Sequence, residues 1–323
     1  MTAWNEHDPV EAARRLGHDL YVGTRLPKHT GWPEAVQEGF SAAAFDGLAR
    51  RTPDRFERKW LQLRLGACRR GRIVDDDVTV DLLRELDLTH CPVTREPLTH
   101  GERADTDWSV DRLNNDAAYA ASNLAVMSTR ANRAKGARRF EEALALSTRE
   151  VPTDGLTPVQ WLRLAVLMLG PAFATRPHDA PPLPLCAPLP SRAVRLAQQQ
   201  IQRLFIVNAR RPAGKNRLVR DLLPACASER SRLRLRRLAD ILHEGLKRPQ
   251  DDQACWDAWL VPEAMPALTA WRESLDAEGW GRAAAVAGRL AGARRETPRR
   301  LQAWCLPSQG YHLGWLPRPR AFA

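Results

Sequence analysis

The chain lacks several features that would point to other classes of protein. It has six cysteines but no Cys-x-x-Cys pair, and lysine is scarce beside arginine. Scattered single cysteines predict reduced, mostly buried thiols in a cytosolic protein. No run approaches the ~18 apolar residues that cross a bilayer, and the polar N-terminus does not resemble a signal peptide. We therefore expect a cytoplasmic protein without a membrane partner.

What the chain has in excess is positive charge. The formal net charge is +11 over 323 residues, and the pI is about 10.0. Such a balance is typical of proteins that bind a polyanion such as nucleic acid. The alternative is a general preference for arginine, with the charge incidental to function. An apolar content of 44% is enough for a sizeable core.

Residues 108–136 show the pattern of a strand, a loop, a second strand and a helix. Residues 108–113 alternate apolar and polar side chains, as a half-buried strand does. Residues 114–116 are turn formers, and residues 123–127 form a second short apolar run. Ser128 stands where the N-cap of a helix is expected, with alanines following at helical spacing.

Two polar residues of this segment are suited to bind a metal ion. Asp111 lies near the end of the first predicted strand, and Asn132 lies on the first turns of the predicted helix. If strand and helix pack together, a carboxylate and an amide oxygen face one small space. Oxygen ligands of this kind suit Mg²⁺. Asn123, between them in sequence, could tie the loop to the strand.

This segment resembles the HNH endonucleases, which are built on a ββα-metal finger (also called a His-Me finger). The similarity covers about 50 of the 323 residues and is closest to the phage and bacterial branch. The matching positions are residues 110–113 for L-D-R-I, Tyr119 for G-Y, residues 123–124 for N-V and residues 131–135 for A-N-x-x-K.

The resemblance implies an enzyme that hydrolyses phosphodiester bonds in nucleic acid, with DNA as the expected substrate. Asp111 and Asn132 would bind Mg²⁺ or Mn²⁺, and Asn123 would hold the loop. The family also occurs in phage, mobile-element and defence settings.

Members of the family often carry two Cys-x-x-Cys pairs around zinc. Thr94 stands where the partner of Cys91 should be, so we expect no zinc.

Arg112 departs from the family pattern, which has a histidine general base directly after the aspartate. Arginine does not accept a proton near neutral pH, but it could hold the scissile phosphate. His90 or His100 could take over as the proton acceptor, or both could simply flank a hairpin. The departure leaves a second hypothesis open, an inactive module that binds nucleic acid or protein.

The residues after the predicted site form a basic segment. We expect them to contact phosphates beside the scissile one, although a solvated helix face is the alternative. The predicted contacts are Arg130, Arg133, Lys135, Arg138 and Arg139.

A triple aspartate at residues 75–77 reads either as a metal site or, by preference, as an anionic helix cap.

The whole chain is predicted to be mainly α, with helical N- and C-terminal regions around the small finger. The predicted regions are a helical region at 1–70, the HNH-like domain at 71–150, a helix with a Pro-rich linker at 151–190 and a helical domain at 191–323. The last region could bind substrate, a protein partner or a second copy of the chain. Its five arginines between 230 and 237 should be distributed around a helix. A third hypothesis is a helical scaffold that binds another protein.

Overall fold

A computed structural model describes residues 8–24, 27–247, 252–290, 300, 301 and 305. These residues form two compact units. The first comprises the described parts of 1–87, 110–125 and 296–323, and the second comprises those of 88–109 and 126–295. The division passes through both strands of the small sheet.

The described residues are mainly helical and contain one two-stranded antiparallel sheet, which confirms the mainly α prediction. The elements are α1 (Pro9–Gly23), α2 (Glu34–Phe45), α3 (Arg55–Arg69), α4 (Val80–Glu85), β1 (Trp108–Arg112), β2 (Leu124–Ser128), α5 (Thr129–Lys135), α6 (Phe140–Ser147), α7 (Pro158–Ala172), α8 (Ala197–Asn208), α9 (Pro212–Leu222), α10 (Glu229–Leu246), α11 (Ala264–Glu273) and α12 (Ala277–Leu290). None of these helices is long and apolar enough to cross a membrane.

Side-chain caps define where several helices begin. Asp8 accepts a hydrogen bond from the backbone N–H of Val10 at the start of α1. Asp54 forms a capping box with Glu57 in α3, and Thr157 caps α7. These polar groups satisfy N–H donors that have no partner within the helix.

The first unit is organised around the crossing of α1 and α2. Both helices bring a glycine to the crossing, and the backbones touch there. A Cβ on Gly17 would lie 2.0 Å from the carbonyl oxygen of Val36, and one on Gly39 would lie 1.9 Å from that of Arg14. Any larger residue at either position would push the helices apart.

The triple aspartate lies in the loop that follows α3, and its side chains do not cap a helix. Thr79 caps α4, whereas Asp77 accepts a hydrogen bond from the backbone N–H of Ala121. Arg300 forms ion pairs with both Asp75 and Asp77. The helix-cap prediction for residues 75–77 is therefore wrong, because the polar side chains reach into a neighbouring loop of the same unit.

The core of the second unit is formed by α7 to α12. Trp161 of α7, Trp271 of α11 and Trp259 of a short 3-10 helix are 1% exposed or less. The apolar run at residues 162–172 belongs to α7, most of whose residues are buried. Its Arg163 lies beside Asp257, which also binds the guanidinium of Arg95 at 2.5 and 2.6 Å.

The Pro-rich stretch at 170–190 is packed against α8. Gln202 accepts a hydrogen bond from the N–H of Leu185 and donates one to the carbonyl of Leu183. Gln198 donates to the carbonyl of Pro181. The two units therefore do not divide at the predicted linker, since glutamine side chains bind its extended backbone and bury it.

Candidate metal and nucleic-acid site

The predicted order of strand, loop, strand and helix is present in residues 108–135. β1 pairs with β2, and α5 follows β2 directly. The Ser128 hydroxyl accepts a hydrogen bond from the N–H of Ala131 at 3.2 Å, which confirms Ser128 as the N-cap of α5. Gly136 ends the helix with a φ of 50°, in the region that favours glycine.

Asn123 closes the loop between the strands. Its side chain is fully buried, accepts a hydrogen bond from the N–H of Asn114 at 2.8 Å, and donates to the carbonyls of Asn114 and Ala118 at 2.9 Å each. The carbonyl of Asn123 also accepts from the N–H of Leu113 at 2.7 Å. These bonds fix the path of the chain between β1 and β2.

Arg112 is committed to the same loop. Its side chain is buried and donates to the carbonyls of Asn115 and Ala117 at 3.1 and 2.8 Å. Its guanidinium lies 4.8 Å from the centre of the Tyr119 ring. The predicted phosphate contact of Arg112 is therefore corrected, because the group stabilises the loop from inside.

The two predicted metal ligands are both half-buried, Asp111 on β1 and Asn132 on α5. They belong to different units, and their joint binding of an ion stays a prediction. Within the second unit, the Asn132 amide nitrogen donates to the Ser109 hydroxyl at 2.7 Å. An asparagine held through its nitrogen presents its carbonyl oxygen elsewhere, which is the atom a cation would bind.

The sequence did not indicate that Ser109 and Cys91 position α5, although both bind it. The buried Cys91 sulfur accepts hydrogen bonds from the N–H groups of Thr94 at 3.4 Å and Ser128 at 3.2 Å. Cys91 therefore holds the N-terminus of α5 on the turn at 91–94. The sequence carries one signal of this role, the Cys-Pro-x-Thr turn at 91–94, which comes before β1 in the chain.

The loop before β1 also supports α5. The Asp107 carboxylate accepts from the Thr99 hydroxyl at 2.7 Å and from the N–H groups of Glu102 and Arg103. The Thr99 hydrogen bond is the main cause of the lowered pKa of Asp107. The Asp107 carbonyl accepts both the N–H and the hydroxyl of Thr129.

The two candidate histidines lie in the second unit with different surroundings. His90 is half-buried, with its Nδ1 3.0 Å from the Thr89 hydroxyl. His100 is exposed and lies edge-on against Trp108, the first residue of β1, at 5.6 Å between ring centres. Their predicted role as proton acceptor stays a prediction.

The basic segment after the site is largely paired with acids from elsewhere in the second unit. Arg130 binds Glu96 at 2.8 Å, Arg133 binds Asp105 at 3.0 Å and Arg138 binds Asp154 at 2.6 Å. Arg133 and Asp105 are both more than half exposed, so this pair is weak and open to competition from a phosphate. Arg139 is exposed at the start of α6.

Lys135 corrects one of these predictions. Its side chain is 0% exposed, although it ends a helix in a basic run. A phosphate of a nucleic-acid strand cannot reach a side chain without solvent access. The predicted phosphate contact of Lys135 is therefore wrong, and the residue belongs to the interior of the segment.

The described residues contain no group of three or more histidines, cysteines, aspartates or glutamates that could hold a metal ion. The ligand set implied by the resemblance, one carboxylate and one amide, is not a group of that kind. The donor chemistry of Asp111 and Asn132 fits Mg²⁺, which binds one or two protein oxygens and keeps several waters.

Comparison of the chain with protein-family models, with curated proteins and with solved structures found no match. The resemblance to HNH endonucleases therefore rests on the motif residues and on the order of the elements that carry them.

Proposed function

We propose that this protein is a metal-dependent endonuclease of HNH type that hydrolyses phosphodiester bonds in nucleic acid, with DNA as the expected substrate. Asp111 and Asn132 would hold one Mg²⁺ or Mn²⁺ ion. When bound, such an ion stabilises the negative charge that develops on the phosphate and on the leaving oxygen.

The observation that carries the proposal is the hydrogen bond between Asn132 and Ser109. Ser109 and Asp111 are two residues apart on β1, and side chains two apart on a strand point to the same face. Asn132 is hydrogen-bonded to Ser109, and the alternation of the strand assigns Ser109 and Asp111 to one face of β1. This hydrogen bond and the strand alternation support the ligand pair that the motif predicts.

The protein residues would divide the remaining work. Asn123 holds the loop through its three side-chain hydrogen bonds, and Arg112 stabilises it from within. Arg133 would exchange its exposed partner Asp105 for a substrate phosphate, which positions the strand without reading its sequence. His90 or His100 would accept the proton of the attacking water.

Nicking of supercoiled plasmid by the purified full chain, with Mg²⁺ or Mn²⁺, tests the proposal. Asp111→Asn keeps the shape of the side chain and removes the charge that binds the ion, so we expect nicking to fall at least a hundredfold. Asp116→Asn, on the loop that follows β1, is the matched control and should cut like the wild type. An Asp111→Asn protein that cuts at the wild-type rate would falsify the assignment.

The same assay identifies the proton acceptor. His90→Gln and His100→Gln remove one imidazole each, and only the variant that lacks the proton acceptor should lose nicking activity. A pH–rate profile of changed shape in that variant, with the other variant like the wild type, would mark that histidine as the base. A rate and profile unchanged in both variants would place the acceptor elsewhere.

A second candidate function is an inactive HNH-like module that binds nucleic acid or protein. The burial of Arg112 favours it, since this side chain stands where the family has its general base and donates only to carbonyls. Salt-sensitive DNA binding by the wild type, together with no nicking by any divalent ion, would support the module and contradict the enzyme.

A further inference from the structure

The solvent face of α10 carries a cluster of arginines far along the chain from the candidate site. The inner face of this 18-residue helix buries Leu235, Leu238 and Leu242. The sequence predicted that its arginines are distributed around the helix, but only Arg234 turns inward, where it donates to the carbonyl of Ala270 at 2.7 Å. The exposed ones, which we call the α10 arginine face, are Arg230, Arg232, Arg236 and Arg237.

The α10 arginine face is incompletely neutralised. Arg232 and Arg236 share a single acid, Glu229, at 3.7 and 3.8 Å. Arg230 and Arg237 have no ionic partner among the described residues. Four arginines against one glutamate leave a surplus of three positive charges on about two turns of helix. Nearby positive charges repel one another, so a polyanion that neutralises them lowers the electrostatic energy of the face.

The spacing of the face matches a run of phosphates. At a rise of about 1.5 Å per residue, Arg230 and Arg237 are roughly 10 Å apart along the helix axis. One strand of DNA carries a charge about every 3.4 Å along its axis, so the face spans about three phosphates. The helix is held rigidly by its buried leucines, so the charges are presented together.

A protein partner fits this face less well. The core of a protein–protein interface is typically depleted of charge and rich in apolar and aromatic groups. Leu233, 57% exposed, is the large apolar side chain exposed on this helix, and arginines lie on both sides of it. Arginine contacts to phosphate oxygens are, by contrast, the usual basis of sequence-independent nucleic-acid binding.

We propose that the α10 arginine face binds the phosphate backbone of a nucleic-acid substrate and gives the protein a second anchoring surface in addition to the candidate site. This inference rests on the proposed function for the identity of the polyanion. It assigns to part of the C-terminal helices a role in substrate affinity, without base readout.

The test compares two charge-matched double variants. Arg230→Gln/Arg237→Gln removes the two unpaired charges of the face, and Arg58→Gln/Arg69→Gln removes two exposed charges on α3. Binding of a fluorescent 20-base-pair duplex is measured in EDTA, which prevents cutting, between 50 and 200 mM salt. Thermal unfolding checks that both variants are folded.

We expect the α10 variant to bind at least tenfold more weakly than the α3 control near 0.1 M salt. Its slope of log affinity against log salt should fall by about 1.8, since each lost phosphate contact removes about 0.9. Equal affinities and slopes for the two variants would overturn the inference, as would binding of an acidic protein at this face with unchanged DNA affinity. Because the assay involves no cleavage, its outcome is separate from that of the nicking assay.

Discussion

At the scale of single residues, several polar side chains of the candidate segment hold the backbone of nearby loops in place. The side chains of Asn123 and Arg112 donate hydrogen bonds to loop carbonyls, and the Cys91 sulfur accepts hydrogen bonds from backbone N–H groups. Buried polar groups must be satisfied in this way, because each unpaired one costs about 1–3 kcal/mol. Asp111 and Asn132 are the residues to which the proposed function assigns metal binding.

The loop asparagine provides the first prediction at this scale. Asn123→Asp keeps the acceptor for Asn114 but replaces the two donated hydrogen bonds with repulsion between oxygens. We expect the free energy of unfolding to fall by at least about 2 kcal/mol, measured by urea denaturation. Asn208→Asp, where the side chain donates to one carbonyl and is half-buried, should cost much less. Equal losses for the two variants would contradict the role of Asn123.

The buried thiol of Cys186 provides the second prediction at the scale of single residues. Burial raises the pKa of Cys186 to about 12, from an ordinary value of 9.0. The unfolded chain therefore loses this proton at lower pH than the folded chain. Stability from the neutral thiol is full below about pH 9 and is lost as the pH rises towards 12, with a slope of up to about 1.4 kcal/mol per pH unit.

Cys186→Ala should flatten that decline between pH 8.5 and 10.5, measured as the free energy of unfolding at each pH. The substitution also removes some packing, which lowers stability by the same amount at every pH and leaves the slope to report on the thiol. A slope as steep in the variant as in the wild type would contradict the account.

Some residue roles could be predicted from the sequence and others could not. The position of Asn123 in the motif indicated a loop-holding side chain. The burial of Lys135 was not predictable, because a lysine in a basic run carries no local sign of its surroundings. The partners of Arg130, Arg133 and Arg138 lie 16 to 34 positions away, so only the tertiary fold reveals that these charges are paired.

At the scale of elements, caps and glycines decide where helices begin, end and cross. Asp8, Asp54 and Thr157 are typical helix-start residues, and their side chains bind the first turns of α1, α3 and α7. Helix ends carry weaker local signals. α2 ends at Phe45, because Gly47 adopts a φ of 66° and turns the chain.

The α1–α2 crossing gives a prediction at this scale. Gly17→Ala and Gly39→Ala each place a methyl group within 2.0 Å of a carbonyl oxygen, so the helices must separate. We expect each variant to lose about 1–3 kcal/mol of stability, measured by chemical denaturation.

Gly281→Ala is the matched control for that pair. Gly281 lies on the exposed side of α12, and a Cβ there would meet nothing within 4 Å. Alanine favours helix over glycine by about 1 kcal/mol, so this substitution should stabilise the protein slightly. If alanine at all three positions stabilised the protein, the contact between the backbones of α1 and α2 would be looser than described.

At the scale of the whole molecule, tertiary packing decides which segments are buried and which charges are paired. The Pro-rich stretch was predicted as a linker because prolines favour extended backbone, yet glutamines of α8 bury that backbone within the second unit. Local sequence patterns predicted the mainly α fold, and composition showed the excess of positive charge. It did not indicate which arginines are paired, and this determines which surfaces could attract a polyanion.

The most direct measurement for the central claim is the position of a bound metal ion. Crystals of the full chain soaked in Mn²⁺ and measured at the manganese absorption edge would show the ion as an anomalous peak. We predict a peak with the Asp111 carboxylate and the Asn132 amide oxygen as protein ligands, and no such peak in Asp111→Asn crystals. A Mn²⁺ ion bound elsewhere, with Asp111 and Asn132 both outside its ligand shell, would contradict the nuclease proposal.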